Sequence, residues 1–162
     1  MSKSIGGDLP SELLERLSGA RLDDVADRVI IVCSVDEGGL PHAAILSYAE
    51  VLAVDSRTIR IAVYGRSGTA RNVRRDGGLT LLLIESEFVY YIKGTATELS
   101  ASMRCTPHNA KLSLAIVDIL QDSPDAGFEL DARIASGIRY VNPDREPQMA
   151  RARQVLEELR DS

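Results

Sequence analysis

The sequence predicts a mainly β protein with peripheral helices, built as an antiparallel barrel. Several apolar, β-branched stretches are separated by tight-turn sequences such as Glu37-Gly38-Gly39 and Asp55-Ser56-Arg57. Helical patterns occur mainly at the two ends of the chain, with one short helix between strands. A length of 162 residues, 44% of them hydrophobic, suits one domain with a substantial core. We therefore expect residues 1–162 to form a single domain.

The N-terminal half of the chain predicts one short helix and three strands. Residues 8–17 have a helical pattern, in which Pro10 suits the first turn and Gly19 can end the helix. The strand segments share a β-branched, apolar composition and cover residues 28–36, 42–54 and 58–64. The last of them alternates apolar and polar residues, so one of its faces is expected in the core.

The C-terminal half predicts a helix inserted between strands, further strands and a terminal helix. The inserted helix covers residues 69–76 and is closed by Gly77-Gly78. The strand-like segments cover residues 79–84, 88–99, 111–121 and 132–141. Residues 122–127 predict a loop. Residues 146–160 predict the terminal helix, with Asp144 as its candidate cap.

Composition excludes several classes of function. The net charge of −5 argues against a general nucleic-acid or membrane-surface protein. Trp is absent and aromatic residues make up only 4%, which argues against a base-stacking surface. No apolar run approaches the ~20 residues that span a bilayer, and the N-terminus lacks a signal-peptide pattern, so we expect a cytoplasmic protein. Two His and two Cys without ligand spacing predict no metal site.

Residues 64–78, YGRSGTARNVRRDGG, hold four arginines in this acidic chain. A helix entered through a Ser-Gly-Thr loop presents free N–H groups and a positive dipole end, which is an anion-binding arrangement typical of phosphate sites. Ser67 and Thr69 could donate hydroxyl hydrogen bonds, and Arg66 or Arg71 could add charge-assisted ones. The alternative is that Thr69 only caps the helix and that the arginines are solvated.

Five segments follow one another in a recognisable order: PHAAILS (41–47), TIRIAVY (58–64), SGTARN (67–72), LTLLLIE (79–85) and YYIKGTATEL (90–99). This order resembles the FMN-binding split-barrel proteins related to pyridoxamine 5′-phosphate oxidase, and the resemblance spans roughly residues 10–160. It implies a six-stranded antiparallel split β-barrel. It also implies a homodimer with FMN in a groove at the subunit interface.

The resemblance also implies candidate cofactor-binding residues. The strand under the flavin ring corresponds to His42, Ala43, Ala44 and Ile45, with Ser47 further along. The phosphate-binding positions correspond to Arg66, Ser67, Thr69 and Asn72. Arg71 joins them as the second cation that could reach a phosphate. A flavin nucleotide is therefore the expected ligand of these residues, and no catalytic side chain is predicted.

The sequence departs from the oxidases proper at two places. Basic residues on their second strand are replaced in this region by His42 and Ser47, and their Arg-Lys pair after the serine by Gly68-Thr69. We therefore expect an FMN-dependent oxidoreductase that acts on an unknown small molecule other than pyridoxamine 5′-phosphate. Two alternatives stay open: a deazaflavin-dependent reductase, and a flavin-free dimer that binds another phosphorylated ligand.

Overall fold

Eight antiparallel strands form one curled sheet in the part of the chain that the structure describes. The computed structural model describes residues 1–124, 127–128 and 131–162. The strands are β1 (Ser2–Ser4), β2 (Val29–Val35), β3 (Pro41–Ser47), β4 (Val51–Ala53), β5 (Thr58–Tyr64), β6 (Gly78–Ile84), β7 (Val89–Ser100) and β8 (Asn109–Asp122). Their order is β3-β2-β6-β7-β8-β5-β4, and β1 pairs with β8. The predicted mainly β, split-barrel architecture is therefore confirmed, although the sheet path has seven strands, with β1 as an eighth, and not six.

The two ends of this strand order are close together in sequence. Strands β3 and β4 are the outermost strands, yet only a 3-10 helix, Tyr48–Glu50, separates them along the chain. The sheet must therefore curl into a half-barrel to bring its edges together. The sequence predicted one long strand over residues 42–54, and this prediction is corrected by the 3-10 helix. The 3-10 helix has a local cause, because the N–H and hydroxyl of Ser47 both donate to Glu50 and start a helical turn.

The inner face of the sheet is mainly apolar. The inner side chains with no exposed surface include Ile30, Val32, Ile59, Ile61, Leu81, Leu83, Ile92, Leu112 and Leu114. Helix α1 (Ser11–Arg16) adds Leu13 to the same core. Burying each such side chain contributes about 1.5–3 kcal/mol, so alternation along the strands is what drives the sheet to close around this core.

A second, smaller core lies outside the sheet. It is formed under helix α4 (Arg145–Arg160) with help from the short helix α2 (Leu22–Val25), which the sequence did not predict. Its buried members are Leu22, Leu52, Ala62, Met103, Met149, Val155, Leu156 and Leu159. The remaining α-helix, α3 (Gly68–Asp76), lies between β5 and β6 as predicted. Within the described ranges, no helix is both long and apolar enough to cross a membrane.

Residues 132–141 do not form the predicted strand. In this segment, part of the C-terminal strap (residues 131–142), the only β-pairing in the described structure is an isolated bridge between Arg139 and Arg28. Two backbone hydrogen bonds flank this bridge. The N–H of Val29 donates to the Ile138 carbonyl at 3.3 Å, and the N–H of Tyr140 donates to the Asp27 carbonyl at 2.9 Å. A ladder cannot extend further because β3 and β6 already occupy both sides of β2. The predicted loop at 122–127 lies partly outside the described residues.

The buried carboxylate of Glu85 joins four parts of the chain at one end of the barrel. Its side chain is 1% exposed. Oε1 accepts the hydroxyl hydrogen of Tyr48 at 2.6 Å and lies 3.7 Å from Nη1 of Arg16, while Oε2 accepts from Nη1 of Arg28. Burial and the bond to Glu85 raise the pKa of Tyr48, which keeps its hydroxyl protonated as a donor. The Glu85 cluster (Arg16, Arg28, Tyr48 and Glu85) therefore ties α1, the start of β2 and the 3-10 helix to the end of β6.

Cations from the barrel hold the C-terminal end of α4. Nη1 of Arg60 donates to the Leu159 carbonyl at 2.9 Å. Nζ of Lys111 donates to the carbonyls of Glu158 at 2.7 Å and Asp161 at 2.6 Å. The last carbonyls of a helix have no partner within it and carry the negative end of its dipole. These two side chains therefore supply the missing donors and fix the end of the helix against β5 and β8.

The Glu158 carboxylate joins α4 to the loop before β8. Oε1 accepts from the N–H of Arg104 at 2.6 Å, and Oε2 accepts from the N–H of Cys105 at 2.8 Å. Burial raises the pKa of this carboxyl, but the hydrogen bonds from Cys105 and Arg104 outweigh burial and lower the pKa to about 2. The folded state therefore favours the ionised form of Glu158.

We expect Glu85→Gln to lower the free energy of unfolding by about 3 kcal/mol, because it leaves two half-buried arginines without their buried anion. Urea denaturation followed by circular dichroism measures this change. Glu87→Gln is the matched control: Glu87 lies 3.9 Å from Arg16 and from Arg28 but is 52% exposed, so its loss should cost less than about 1 kcal/mol. Equal losses in the two variants would contradict the assigned role of Glu85.

We expect Glu158→Gln to lower the free energy of unfolding at pH 7 by about 2 kcal/mol. The native pKa lies below the ordinary value of 4.5, so the contribution is complete above pH 4.5 and is lost as the pH falls toward 2. Urea denaturation at a series of pH values should show the two proteins converging over that range. Glu157→Gln, at the exposed neighbouring position, should stay within about 0.5 kcal/mol of wild type. A pH-independent difference for Glu158→Gln would disprove the linkage.

Candidate functional site

Helix α3 begins and ends through specific local interactions. At its start, Ser67 has extended backbone angles and its Oγ accepts the N–H of Ala70 at 3.1 Å, which makes Ser67 the N-cap. At its end, Gly77 has a φ of 78°, the left-handed conformation that glycine adopts without strain. The helix therefore starts at the loop that follows β5, as the Ser-Gly-Thr sequence predicted.

The first turn of α3 has donors that the protein does not use. The N–H groups of Gly68 and Thr69 have no acceptor among the described residues. The Oγ1 of Thr69 is buried, and no partner for it exists in the described part of the structure. The Ser67 hydroxyl accepts one bond from the helix and keeps its own hydrogen free to donate. An unsatisfied buried hydroxyl costs about 1–3 kcal/mol, so an acceptor bound at this turn would be stabilised by groups that are otherwise unpaired.

The start of β3 lies against this turn. A Cβ built on Gly68 would lie 2.7 Å from Nε2 and from Cε1 of His42, so only a glycine lets the helix approach the imidazole this closely. One turn further along the same face of the helix, the side-chain amide of Asn72 donates to Oγ of Ser34 at 2.9 Å and is buried. The fold thus brings His42 to the anion loop (residues 66–69), whereas it uses Asn72 to attach α3 to β2.

The four arginines of this region divide into two pairs. Nε of Arg74 donates to Glu98 at 2.8 Å, and Nη2 of Arg75 donates to Asp76 at 2.8 Å, so both arginines are paired with acidic residues. By contrast, Arg66 and Arg71 have no acidic partner in the described ranges. Nη1 of Arg71 donates to the Arg66 carbonyl at 2.8 Å, which holds this guanidinium beside the loop. The uncompensated positive charge of the segment therefore lies at the N-terminal end of α3.

The rest of the predicted site follows β3 away from the loop. Ala43 and Ile45 face outward, Ile45 with 64% of its surface exposed, and Ala44 is half-buried. The Ser47 hydroxyl donates to Glu50 at 2.9 Å, so its hydrogen is already used within the protein. Because β3 has a described neighbour only in β2, its other edge is open. The small residues of the strand thus leave space along this edge for a flat ligand.

A pocket of about 900 Å³ opens at the Ser47 end of β3. Its walls include Ile45 from β3, Glu50 from the 3-10 helix, Tyr140 from the strap, and Arg145 and Met149 from α4. Burial raises the pKa of Glu50, although the two donors of Ser47 oppose this effect. Sequence reasoning missed every one of these residues except Ile45. The Ser-x-x-Glu spacing of a capping box could have indicated Glu50, whereas nothing local indicated that the strap and α4 meet β3.

The comparison with known protein families decides the classification. The sequence model of the family described as pyridoxamine 5′-phosphate oxidase matches residues 25–132, which include β2 to β8 and α3. The chain belongs to this family. The resemblance inferred from the order of the sequence motifs is thus confirmed.

One bacterial protein and two solved structures are similar to this oxidase-family chain. The uncharacterized protein YclD of Bacillus subtilis (strain 168) is 26% identical over 152 residues, which is 94% of this chain and 96% of YclD. A candidate pyridoxamine 5′-phosphate oxidase from Lactobacillus delbrueckii superposes with a TM-score of 0.58 at 14% identity, over 72% of this chain and 98% of that chain. An FMN-binding protein from Syntrophomonas wolfei gives 0.53 at 17% identity, over 70% and 88%. At these identities the solved structures show a shared fold.

Proposed function

We propose that this member of the oxidase family binds FMN and is a flavin-dependent oxidoreductase. One observation carries the proposal: the first turn of α3 combines two N–H groups, the buried hydroxyl of Thr69 and two nearby arginines, and none of these has an acceptor or acidic partner for that role among the described residues apart from the bond of Arg71 to the Arg66 carbonyl. A phosphate monoester matches this set, since its oxygens accept hydrogen bonds and its charge complements Arg66 and Arg71. The family match and the fold shared with an FMN-binding protein support the choice of a flavin nucleotide.

The residues around the loop fit such a ligand without the basic residues of the oxidases proper. Gly68 leaves no side chain between the helix start and His42, so a phosphate could contact backbone N–H groups and the imidazole together. The helix dipole adds about 0.3–1 kcal/mol for an exposed anion and up to about 2 kcal/mol for a partly buried one. The ring would lie along β3, against Ala43, Ala44 and Ile45. Asn72 would act through the position of α3, because its amide is bound to Ser34.

A bound flavin would supply the redox chemistry by exchanging two electrons with a small molecule. The protein would then need only to hold the phosphate, orient the ring along β3 and exclude water. This division of roles agrees with the absence of a nucleophile-base pair in the sequence motifs. Neither the family nor the site identifies pyridoxamine 5′-phosphate as the substrate.

We also propose a two-fold homodimer as the working assembly. The outward face of the β2–β3 hairpin carries large apolar side chains, with Val35 44% exposed and Leu40 66% exposed. Next to them, the open edge of β3 presents unpaired backbone groups. Exposed apolar surface beside an open strand edge favours association, and a two-fold axis pairs the same patch on both copies.

Replacing Ser67 and Thr69 together with Ala should weaken FMN binding at least tenfold. The loss of hydroxyl donors to a charged phosphate is worth about 1.5–3 kcal/mol, and about 1.4 kcal/mol corresponds to tenfold. Quenching of flavin fluorescence during titration of the purified protein measures the affinity. A parallel titration with a deazaflavin cofactor tests the reductase alternative.

The matched control is the double variant Arg74→Gln/Arg75→Gln, which removes two charges from the same helix. Both arginines already pair with carboxylates, so FMN affinity should change less than about threefold after correction for folding. If wild type binds no FMN, or if the double Ala variant binds it equally well, the flavin assignment is wrong. Retention of the deazaflavin alone would replace it with the reductase reading.

Sedimentation velocity at micromolar concentration should show a dimer of the wild-type chain. Val35→Glu/Leu40→Glu places two carboxylates on each copy of the proposed interface, so the double variant should sediment as a monomer. Circular dichroism of the variant provides the control for folding. A wild-type monomer, or a variant that stays dimeric, would rule out this interface.

A further inference from the structure

Exposed apolar side chains are concentrated around the pocket at the Ser47 end of β3. Four of its lining residues keep large exposed fractions: Ile45 at 64%, Ile138 at 47%, Tyr140 at 38% and Val141 at 95%. Three of them belong to the strap, which failed to form a strand and so leaves these side chains uncovered. Such a group of apolar side chains in a concave site of about 900 Å³ is typical of a small-molecule pocket.

The α4 wall of this pocket is positively charged. Nη2 of Arg145 donates only to the backbone carbonyl of Asp23, at 3.1 Å, so its charge has no acidic partner in the described ranges. Arg151 likewise forms neither an ion pair nor a hydrogen bond with any described residue. A third lining arginine, Arg139, lies 3.5 Å from Asp27 and is compensated. Two uncompensated guanidinium groups therefore border the cavity in a chain whose net charge is −5.

The pocket lining also includes a carboxylate, that of Glu50. Oε2 of Glu50 accepts from the N–H of Ser47 at 2.7 Å and from its hydroxyl at 2.9 Å. Its other oxygen, Oε1, has no hydrogen-bond partner in the described structure and so can accept one from a ligand. Within the lining, an anionic group is therefore repelled by Glu50 and attracted by the arginines of α4.

We propose that this pocket binds an aromatic carboxylate, with the ring against Ile45 and Tyr140 and the carboxylate at Arg145 and Arg151. If the protein also binds a flavin as proposed above, this ligand class is its substrate, since β3 connects the pocket to the anion loop. Binding itself does not depend on the flavin. The pocket and the loop lie at opposite ends of the strand, so each can be disabled separately.

Isothermal titration calorimetry of the flavin-free protein with naphthalene-2-carboxylate and its neutral isostere naphthalene-2-carboxamide tests the proposal. The carboxylate should bind at least tenfold more tightly, because a charge-assisted contact to an arginine is absent for the amide. Equal affinities, or no binding of the carboxylate, overturn the proposal.

Two pairs of variants locate the site. Ala152→Trp fills the pocket and should abolish binding, whereas Ala150→Trp, at an exposed position of the same helix outside the pocket lining, should not change it. Arg145→Gln/Arg151→Gln should weaken binding of the carboxylate about tenfold and leave that of the amide unchanged. Arg153→Gln, an arginine of α4 outside the lining, serves as its control. Unchanged carboxylate binding in both Ala152→Trp and the double Gln variant overturns the proposal.

The outcome is separable from that of the proposed function. Ser67→Ala/Thr69→Ala should bind naphthalene-2-carboxylate like wild type, since neither residue lines the pocket. If the wild-type protein binds naphthalene-2-carboxylate but no flavin, the proposed ligand class of the pocket is supported. Only the role of that ligand as a substrate is then removed. Loss of naphthalene-2-carboxylate binding in the double Ala variant shows that the ligand sits at the anion loop and overturns the proposed location.

Discussion

The half-barrel depends on the carboxylate of Glu85, which is buried and therefore needs partners for its charge. Burying an isolated ion such as that of Glu85 costs several kcal/mol, and only a geometry that brings cations and donors to it compensates this cost. Arg16, Arg28 and Tyr48 come from separate parts of the chain, so all of these parts must converge when the sheet curls. Tyr48 directly follows β3. The same interaction therefore fixes the corner where β3 ends, and with it the wall of the pocket.

Charge compensation explains how an acidic chain can present an anion site. The field of a net charge of −5 repels anions at long range, so attraction must come from groups within a Debye length, about 8 Å at physiological salt. Arg74 and Arg75 of α3 are paired with carboxylates, whereas Arg66 and Arg71 have no acidic partner among the described residues. The unpaired N–H groups at the helix start lie on the same side as the two free charges. These nearby groups can therefore attract an anion despite the negative net charge of the chain.

Local signals in the sequence accounted for most of the strands and for the helix of the anion loop. The alternation in β5 and the Ser67 and Gly77 termini of α3 are properties of neighbouring residues, and they fold as the pattern indicates. Long-range contacts could not be read in this way. The strap has the composition of a strand, but the strand that it meets, β2, already has β3 and β6 on its two sides. By local sequence Glu85 is a turn residue, and only the folded structure shows that it contacts Arg16 and Arg28. The candidate loop was therefore predictable, whereas the pocket was not.

The seven residues of strand β3 extend from the anion loop to the pocket, and among the described strands β3 is hydrogen-bonded to β2 alone. Side chains alternate along a strand, so a slip of one residue exchanges its two faces. Such a slip would move His42 away from Gly68 and Ile45 away from the pocket at the same time. The turn at Glu37–Leu40 sets this register. Relatives of this chain should therefore tolerate changes of residue type in that turn far better than changes of its length, and a single inserted residue would disrupt both sites together.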